Sequence, residues 1–321
     1  MAHSVFIDGQ AGTTGLEIAA RLARRGDLAV LRIEDEWRKD DSRRRELMRQ
    51  ADVVVLCLPD DAARQAVELA PDGRFLDAST AHRVAADWVY GLPELEAEQR
   101  QRIRDARRVS NPGCYPTGFI LAVRPLIESG MLLPTTPLKV NAVSGYSGGG
   151  KSLIAKYRAC DSEAMRVRPY GLALRHKHVP EMHRHSLTDL APVFVPTVGH
   201  FHQGMLVQVP LSVRELCAGD AARVREVLSE RYADEAFVHV HEYPVPEEAL
   251  DAGFLSATER NGSNDLDLMV FGHDDQVLLV ARYDNLGKGA SGAAVQNLNL
   301  MLGLPEATGV HLSREPALEA S

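Results

Sequence analysis

The segment Ser110-Asn111-Pro112-Gly113-Cys114-Tyr115-Pro116-Thr117-Gly118 sets one cysteine among turn formers, just before a helical run that Pro116 can open. A thiol there lies close to free backbone N–H groups and the positive end of a helix dipole, which lowers its pKa and makes it a nucleophile. Cys57, Cys160 and Cys217 have no comparable setting and read as bystanders. A nucleophilic sulfur needs a proton partner. The run His176 to His185 packs four of the 12 histidines into ten residues. Pro180 opens a helix within it, which leaves His178 on irregular chain pointing into a cleft, with Glu181 placed to orient the imidazole. Zinc is the rival use of such a cluster, but neither HExxH nor a cysteine pair accompanies it, so no metal is expected. His200 and His202 alternate with Phe201 in a strand pattern and read as structural or cleft-lining.

Three glycine motifs accompany these side chains. Gly9, Gly12 and Gly15 follow the apolar run Ser4 to Asp8 and precede a helical pattern, so with Thr13 and Thr14 they predict a strand-turn-helix cradle for a pyrophosphate. Glu34 and Asp35 lie about 20 residues further on, where an acid would hold the ribose of NAD. Arg38, Lys39, Arg43 and Arg44 would instead meet the 2′-phosphate of NADP, and spacing leaves that choice open. Gly145 to Ser152 matches the phosphate-loop pattern GxxxxGK[ST], which makes a nucleoside triphosphatase a competing reading. No downstream strand ends in a suitable magnesium-binding Asp. The amides of this loop, with Ser147 and Lys151, could still receive a substrate phosphate, as could Arg83 by its charge. Gly287 to Gly292 spells GxGxxG, yet only 29 residues follow it, too few for another dinucleotide unit. It predicts a strand-to-helix turn, from which Asn285 and Lys288 could approach a cofactor.

The elements that must carry these residues alternate at first. Strands are predicted at 28–33, 53–58 and 74–76 and helices at 42–50 and 61–70, the pattern of βαβ units on a parallel sheet. Past about residue 112 a helix at 117–129 gives way to extended stretches at 138–144, 193–201, 205–213 and 277–283, suggesting an antiparallel or mixed sheet. An apolar helix at 290–302 follows. The chain's 321 residues fit two domains, and 45% hydrophobic content rules out general disorder. A net charge of -8 offers no field for nucleic acid, and no long apolar run suggests a membrane span, so a cytoplasmic protein acting on a small molecule is expected.

Taken in order, VFIDGQAGTTGLEIAARL, DASTAHR, SNPGCYPTG, SGYSGGGKS, HKHVPE and DNLGKGASGAAVQNLN resemble the shorter type of N-acetyl-gamma-glutamyl-phosphate reductase over nearly the whole chain. The resemblance implies an α/β fold: a Rossmann-like dinucleotide-binding domain plus an α+β catalytic and dimerisation domain of the semialdehyde dehydrogenase type. It implies residues 1–112 and 285–321 for the first and 113–284 for the second, assembled as a homodimer or homotetramer. It further implies NADP-dependent reduction of N-acetyl-glutamyl 5-phosphate in arginine biosynthesis, with Cys114 as nucleophile and His178 and Glu181 as the acid/base segment. His176 is a further member of that motif. Aspartate-semialdehyde dehydrogenase and an aminoadipyl homologue are the neighbouring readings.

Overall fold

The computed structural model describes residues 2–160 and 163–311. Its first half is a parallel sheet built from β1 (His3–Asp8), β2 (Leu28–Leu31), β3 (Val53–Leu56), β4 (Phe75–Asp77), β5 (Val89–Tyr90) and β6 (Arg108–Ser110), in the order β2-β1-β3-β4-β6-β5. Strands such as Val53-Val54-Val55-Leu56 are apolar at every position because helices cover both faces of the sheet. The covering helices are α1 (Thr13–Leu22), α2 (Asp41–Gln50), α3 (Asp60–Leu69) and α4 (Gln99–Asp105). Asp40 caps α2 by accepting from the Arg43 N–H at 2.7 Å. By contrast α1 starts after Gly12 with no side-chain cap, so its first amides stay open.

The second sheet is mixed. It comprises β7 (Lys139–Gly145), β8 (Val167–Pro169), β9 (Val193–Gly199), β10 (Met205–Ser212), β11 (Val238–Val240), β12 (Leu266–His273) and β13 (Gln276–Tyr283), in the order β11-β12-β13-β10-β7-β9-β8. Helix α5 (Cys114–Glu128) lies on it, burying Phe119, Ile120 and Leu126 against Val207, Leu268 and Leu279. Also in this half are α6 (Gly150–Ala159), α7 (Val179–His185) and α8 (Ala221–Tyr232). The chain then makes a π-turn at Gly287–Ser291 and enters α9 (Gly292–Met301), whose Ala294, Val295 and Leu298 join the parallel-sheet core beside Val5, Ile7 and Ile18. The tail beyond His311, which the expected domain division includes, lies outside the described residues.

Several boundaries differ from expectation. Helix α5 begins at Cys114 itself, with Pro116 as its third residue, because Gly113 takes the extended cap conformation (φ -75°, ψ 153°). Strand β9 stops at Gly199, where a side chain would strike the Phe201 ring, so His200 and His202 fall in the following bend. Strand β13 covers the extended stretch expected at 277–283, whereas its hairpin partner β12 and helix α8 lie outside the expected elements, although Asp274-Asp275 forms a two-residue turn and Asp220 caps α8 onto Val224, Val227 and Leu228.

Candidate active site

Cys114 is the first residue of α5, and the chain reaches it from the carboxyl end of β6, where the parallel sheet opens. Gly113 is the tightest point of the approach. A Cβ on it would stand 2.5 Å from Arg83 Nη1, 2.6 Å from Glu181 Oε1 and 2.9 Å from His178 Nε2. Three functional groups therefore meet at the peptide just before the thiol, and only glycine leaves room for them. Gly289 plays the matching part on the other side, where an added Cβ would lie 2.9 Å from Cys114 Cβ.

Glu181 lies at the centre of this knot and is wholly buried. Its Oε1 accepts from Arg83 Nη1 at 2.7 Å, while Oε2 accepts from Tyr90 Oη at 2.9 Å and from the Gly113 N–H at 3.0 Å. The carboxylate is thus engaged by three donors and makes no hydrogen bond to His178. The expectation that Glu181 orients the imidazole is corrected: it positions Arg83 and the Gly113 peptide before Cys114. Arg83 is held further by donating from Nε to the Asn111 carbonyl at 3.0 Å and from Nη2 to the Ala78 carbonyl at 3.2 Å. Asp77 sets up that approach by accepting from the Ser79 hydroxyl and pairing with His82 at 2.6 Å, which accounts for the DASTAHR run.

The thiol itself departs from expectation. Burial pushes Cys114 up to about 11, although Arg83 and the Tyr115 backbone N–H act the other way. Desolvation outweighs the helix terminus, so the resting group is a neutral thiol and not a preformed thiolate. Burial also holds His178 well below its usual range, with Arg83 adding repulsion, so its imidazole rests neutral. Its Nδ1 is buried without a partner. His176 accepts from the His178 N–H through Nδ1 at 3.2 Å and is lowered to about 4, first by burial. His185 instead stacks on Tyr90 at 3.7 Å and pairs with the Arg83 carbonyl at 2.8 Å. The histidine run therefore splits between a cavity wall and a packing role, and no metal-holding group of three or more occurs among the described residues.

Cys114, His176 and His178 line a cavity of about 740 Å³ that extends to Thr13 and Thr14 at the start of α1. The cradle there fits a pyrophosphate. Gly9 has φ +88° and its Cβ would meet the Cys57 carbonyl, while a Cβ on Gly15 would lie 2.7 Å from the Gly9 carbonyl, so the backbone is bare and close. Gly12 caps α1 and donates its N–H to Gly9 at 3.0 Å. Arg44 is spent on Asp8 and Asp41, both at 2.8 Å, and Arg43 on Glu46 at 2.7 Å. Arg38 and Lys39 are exposed with no ion pair among the described residues.

Other predicted residues land differently. Arg83, Ser147 and Asn285 line the cavity, but Lys151 does not. Helix α6 turns Gly150, Leu153, Lys156 and Tyr157 inward, and Lys151 is off that face and exposed. Lys288 is fully buried, donating to Glu94 Oε1 at 2.6 Å and to Gln296 Oε1 at 2.7 Å, so it anchors the π-turn and does not approach a cofactor. The Gly145–Ser152 loop leaves a strand flanked by parallel β9 and antiparallel β10, with its lysine turned away, which does not support a triphosphatase.

Residues 4–103 match the family described as semialdehyde dehydrogenase, NAD binding domain, and residues 114–285 match semialdehyde dehydrogenase, dimerisation domain. The chain belongs to the semialdehyde dehydrogenase family. It is 51% identical over 317 residues to N-acetyl-gamma-glutamyl-phosphate reductase 2 of Nostoc sp., covering 95% of this chain and 98% of that one. It is 50% identical over 313 residues to N-acetyl-gamma-glutamyl-phosphate reductase of Sinorhizobium medicae, covering 94% and 99%. Aspartate semialdehyde dehydrogenase II of Vibrio cholerae, solved as a complex with ASA, superposes with TM-score 0.69 at 15% identity over 94% of this chain and 99% of that one. Aspartate semialdehyde dehydrogenase of Francisella tularensis gives 0.70 at 13% identity over 94% and 100%. The chain is thus an oxidoreductase with the expected α/β fold and a nicotinamide-dinucleotide-binding domain, and it groups with the N-acetyl-gamma-glutamyl-phosphate reductases.

Within this semialdehyde dehydrogenase scaffold, sequence reasoning missed Tyr90, which bonds Glu181, and Lys156, Arg168 and Lys177 on the cavity wall. A helical period on Gly150, Leu153 and Tyr157 would have pointed to Lys156. Tyr90 sits on a two-residue strand that leaves no pattern to read. No helix among the described residues is long and apolar enough to cross a membrane.

Proposed function

We propose that this protein is the NADPH-dependent N-acetyl-gamma-glutamyl-phosphate reductase of arginine biosynthesis, reducing N-acetyl-glutamyl 5-phosphate to N-acetyl-glutamate 5-semialdehyde and phosphate. One observation carries the reading: a thiol at a helix start shares a cavity with a neutral buried imidazole and with Thr13 and Thr14, the first residues of the uncapped helix that follows the glycine turn. The 50–51% identical relatives carry this name. As His178 removes the Cys114 proton, the sulfur attacks the acyl carbon, the bond to the phosphate oxygen breaks, and a thioester forms. The open N–H groups at the start of α5 receive the carbonyl oxygen as it gains charge. The dinucleotide, when held by Gly9, Gly12, Thr13, Thr14 and Gly15, supplies the hydride. His178 then returns its proton as the carbon–sulfur bond breaks and the aldehyde leaves.

Glu181 keeps Gly113 and Arg83 in place, and Arg83 and Ser147 attend the phosphate. Arg38 and Lys39, exposed and without an ion pair among the described residues, would meet a 2′-phosphate, which favours NADP. We assign residues 1–112 and 285–321 to dinucleotide binding and 113–284 to catalysis and oligomerisation, in a cytoplasmic homodimer or homotetramer. The experiment is Cys114→Ser assayed in the phosphorolytic direction with NADP, phosphate and the semialdehyde. A loss of about a thousandfold or more is expected, and retention of more than about a tenth of the activity would refute the covalent scheme. Aspartate semialdehyde assayed in parallel separates the neighbouring substrate reading.

A further inference from the structure

Tyr283 is the last residue of β13, wholly buried and paired on both sides, with Met205 of β10 and Leu266 of β12. Its hydroxyl reaches from the sheet into the first turn of α5, where it donates to the Cys114 carbonyl at 2.5 Å and accepts from the Gly118 N–H at 3.1 Å. Burial holds the phenol well above its usual range, so the proton that the first of these bonds needs stays in place. The fit is close. A Cβ on Gly118 would stand 2.7 Å from Tyr283 Cε1 and 2.8 Å from its Oη, so the helix carries glycine where the ring passes beneath it. Tyr283 does not line the cavity and can act there only through the helix.

What the hydroxyl holds is the peptide that follows the nucleophile. Of the donors at the start of α5, the Gly113 N–H is taken by Glu181, Pro116 has none, and the Thr117 N–H bonds back to the Gly113 carbonyl at 3.2 Å. The N–H groups of Cys114 and Tyr115 remain to face charge. That of Tyr115 favours the charged form of the Cys114 sulfur. It shares a planar trans peptide with the Cys114 carbonyl, so the two point in opposite directions and fixing one aims the other. A donor on the carbonyl also draws electrons toward its oxygen, which strengthens the N–H at the far end. We infer that Tyr283 is a positioning residue for the nucleophile: by hydrogen-bonding the back of the Cys114–Tyr115 peptide, it aims and strengthens the Tyr115 N–H that steadies the sulfur as its proton leaves. Glu181 thus holds the chain just before Cys114, and Tyr283 holds it just after. This inference rests on the thiol-based reading above and adds a remote control on its nucleophile.

The test compares Tyr283→Phe with Tyr232→Phe. Tyr232 donates its hydroxyl to the Leu121 carbonyl at 2.7 Å, so the second variant removes the same kind of buried bond from the same helix, about two turns beyond the thiol. The first readout needs no substrate: the rate at which iodoacetamide labels the peptide containing Cys114 at pH 8, followed by mass spectrometry. Tyr283→Phe should slow that labelling about fivefold, because the thiolate fraction falls when its donor weakens. Tyr232→Phe should stay within about 1.5-fold of the wild type. A helix that had merely loosened would expose the sulfur and speed labelling. A faster or unchanged rate in Tyr283→Phe would therefore overturn the inference, as would an equal slowing in Tyr232→Phe. The second readout is the phosphorolytic reaction, where Tyr283→Phe should lower kcat about tenfold with KM for the semialdehyde and NADP affinity within about twofold. An unchanged kcat, or a loss confined to either affinity, would overturn the inference too. A wild type that reduces no NADP with phosphate and the semialdehyde would refute the functional reading, and the labelling comparison would still decide the role of Tyr283. Should Tyr283→Phe fail to fold by circular dichroism, Gly118→Ala takes its place. Alanine suits a helix interior better than glycine, yet its Cβ displaces the Tyr283 hydroxyl, so labelling should slow by a similar factor. Labelling of that variant as fast as the wild type, or faster, would overturn the inference.

Discussion

The turn Gly9–Gly15 and the loop Gly145–Gly150 are spelled alike but built for different work. At Gly9 and Gly15 an added Cβ meets backbone, at the Cys57 and Gly9 carbonyls, and α1 begins without a side-chain cap. The result is a cradle made of amides alone. In the second loop only Gly145, at the end of β7, faces backbone that closely, with a Cβ 2.5 Å from the His202 carbonyl; Gly148 has ordinary contacts at 3.5 Å and Gly150 has open space, while Ser147, Leu153, Lys156 and Tyr157 line the cavity. There the glycines clear space for side chains. The difference comes from the strand that feeds each turn: β1 runs between two parallel neighbours, whereas β7 lies between parallel β9 and antiparallel β10. A glycine pattern therefore acquires meaning from its sheet.

The largest expected effect separates the two turns directly. Gly15→Ala places a Cβ 2.7 Å from the Gly9 carbonyl and 2.8 Å from Gln10 Cα, both backbone atoms that cannot turn aside as the end of a side chain could. NADPH affinity, followed by nicotinamide fluorescence, should fall at least about a hundredfold, because close backbone approach is the turn's whole function. Gly148→Ala should leave that affinity within about twofold. Equal losses in the two variants would break the distinction.

The same contrast explains what the sequence could disclose. Turn Gly9–Gly15 was legible because a strand, a glycine turn and a helix occur within about 20 residues, and Cys114 because its turn formers flank it locally. The Glu181 knot joins Tyr90, Arg83, Gly113 and Glu181, positions up to 98 residues apart, so spacing carried no trace of it. Lys288 was misread because its turn faces the core, where Glu94 and Gln296 take its charge. The thiol was misjudged for a related reason: a helix terminus can be read from residue order, but desolvation depends on what the fold packs above it.

Acidification should distinguish the two regions next. Residues 9–15 contain no titratable side chain, whereas His176 and His185 are each lowered to about 4 and His178 is held well below its usual value, all chiefly by burial. Between the usual histidine value of 6.5 and about 4, the unfolded chain binds more protons than the folded one, so stability is lost as pH falls through that window. Thermal unfolding should drop steeply from pH 6.5 to pH 4. Hydrogen exchange at pH 5 should deprotect residues 176–186 and the start of α5 before α1. Simultaneous deprotection of α1 would show that the regions open as one unit.

The smallest effect tests the face of a single helix. Lys151 and Lys156 both lie on α6, both are exposed, and neither has an ion-pair partner among the described residues. Only Lys156 lines the cavity. A substrate that carries a carboxylate should therefore feel Lys156 at close range and Lys151 only through solvent, where salt screens it. Lys156→Ala should raise KM for the semialdehyde about three- to tenfold at low salt, with kcat nearly unchanged, because the charge binds ground state and transition state alike. Lys151→Ala should stay within about 1.5-fold under the same conditions. If the variants were equal at every salt concentration, net charge alone would account for both, and the second loop would owe nothing to which face its helix presents. If Lys151→Ala had the larger effect, the loop would be working as its letter pattern suggests, with the lysine folded back over the anion.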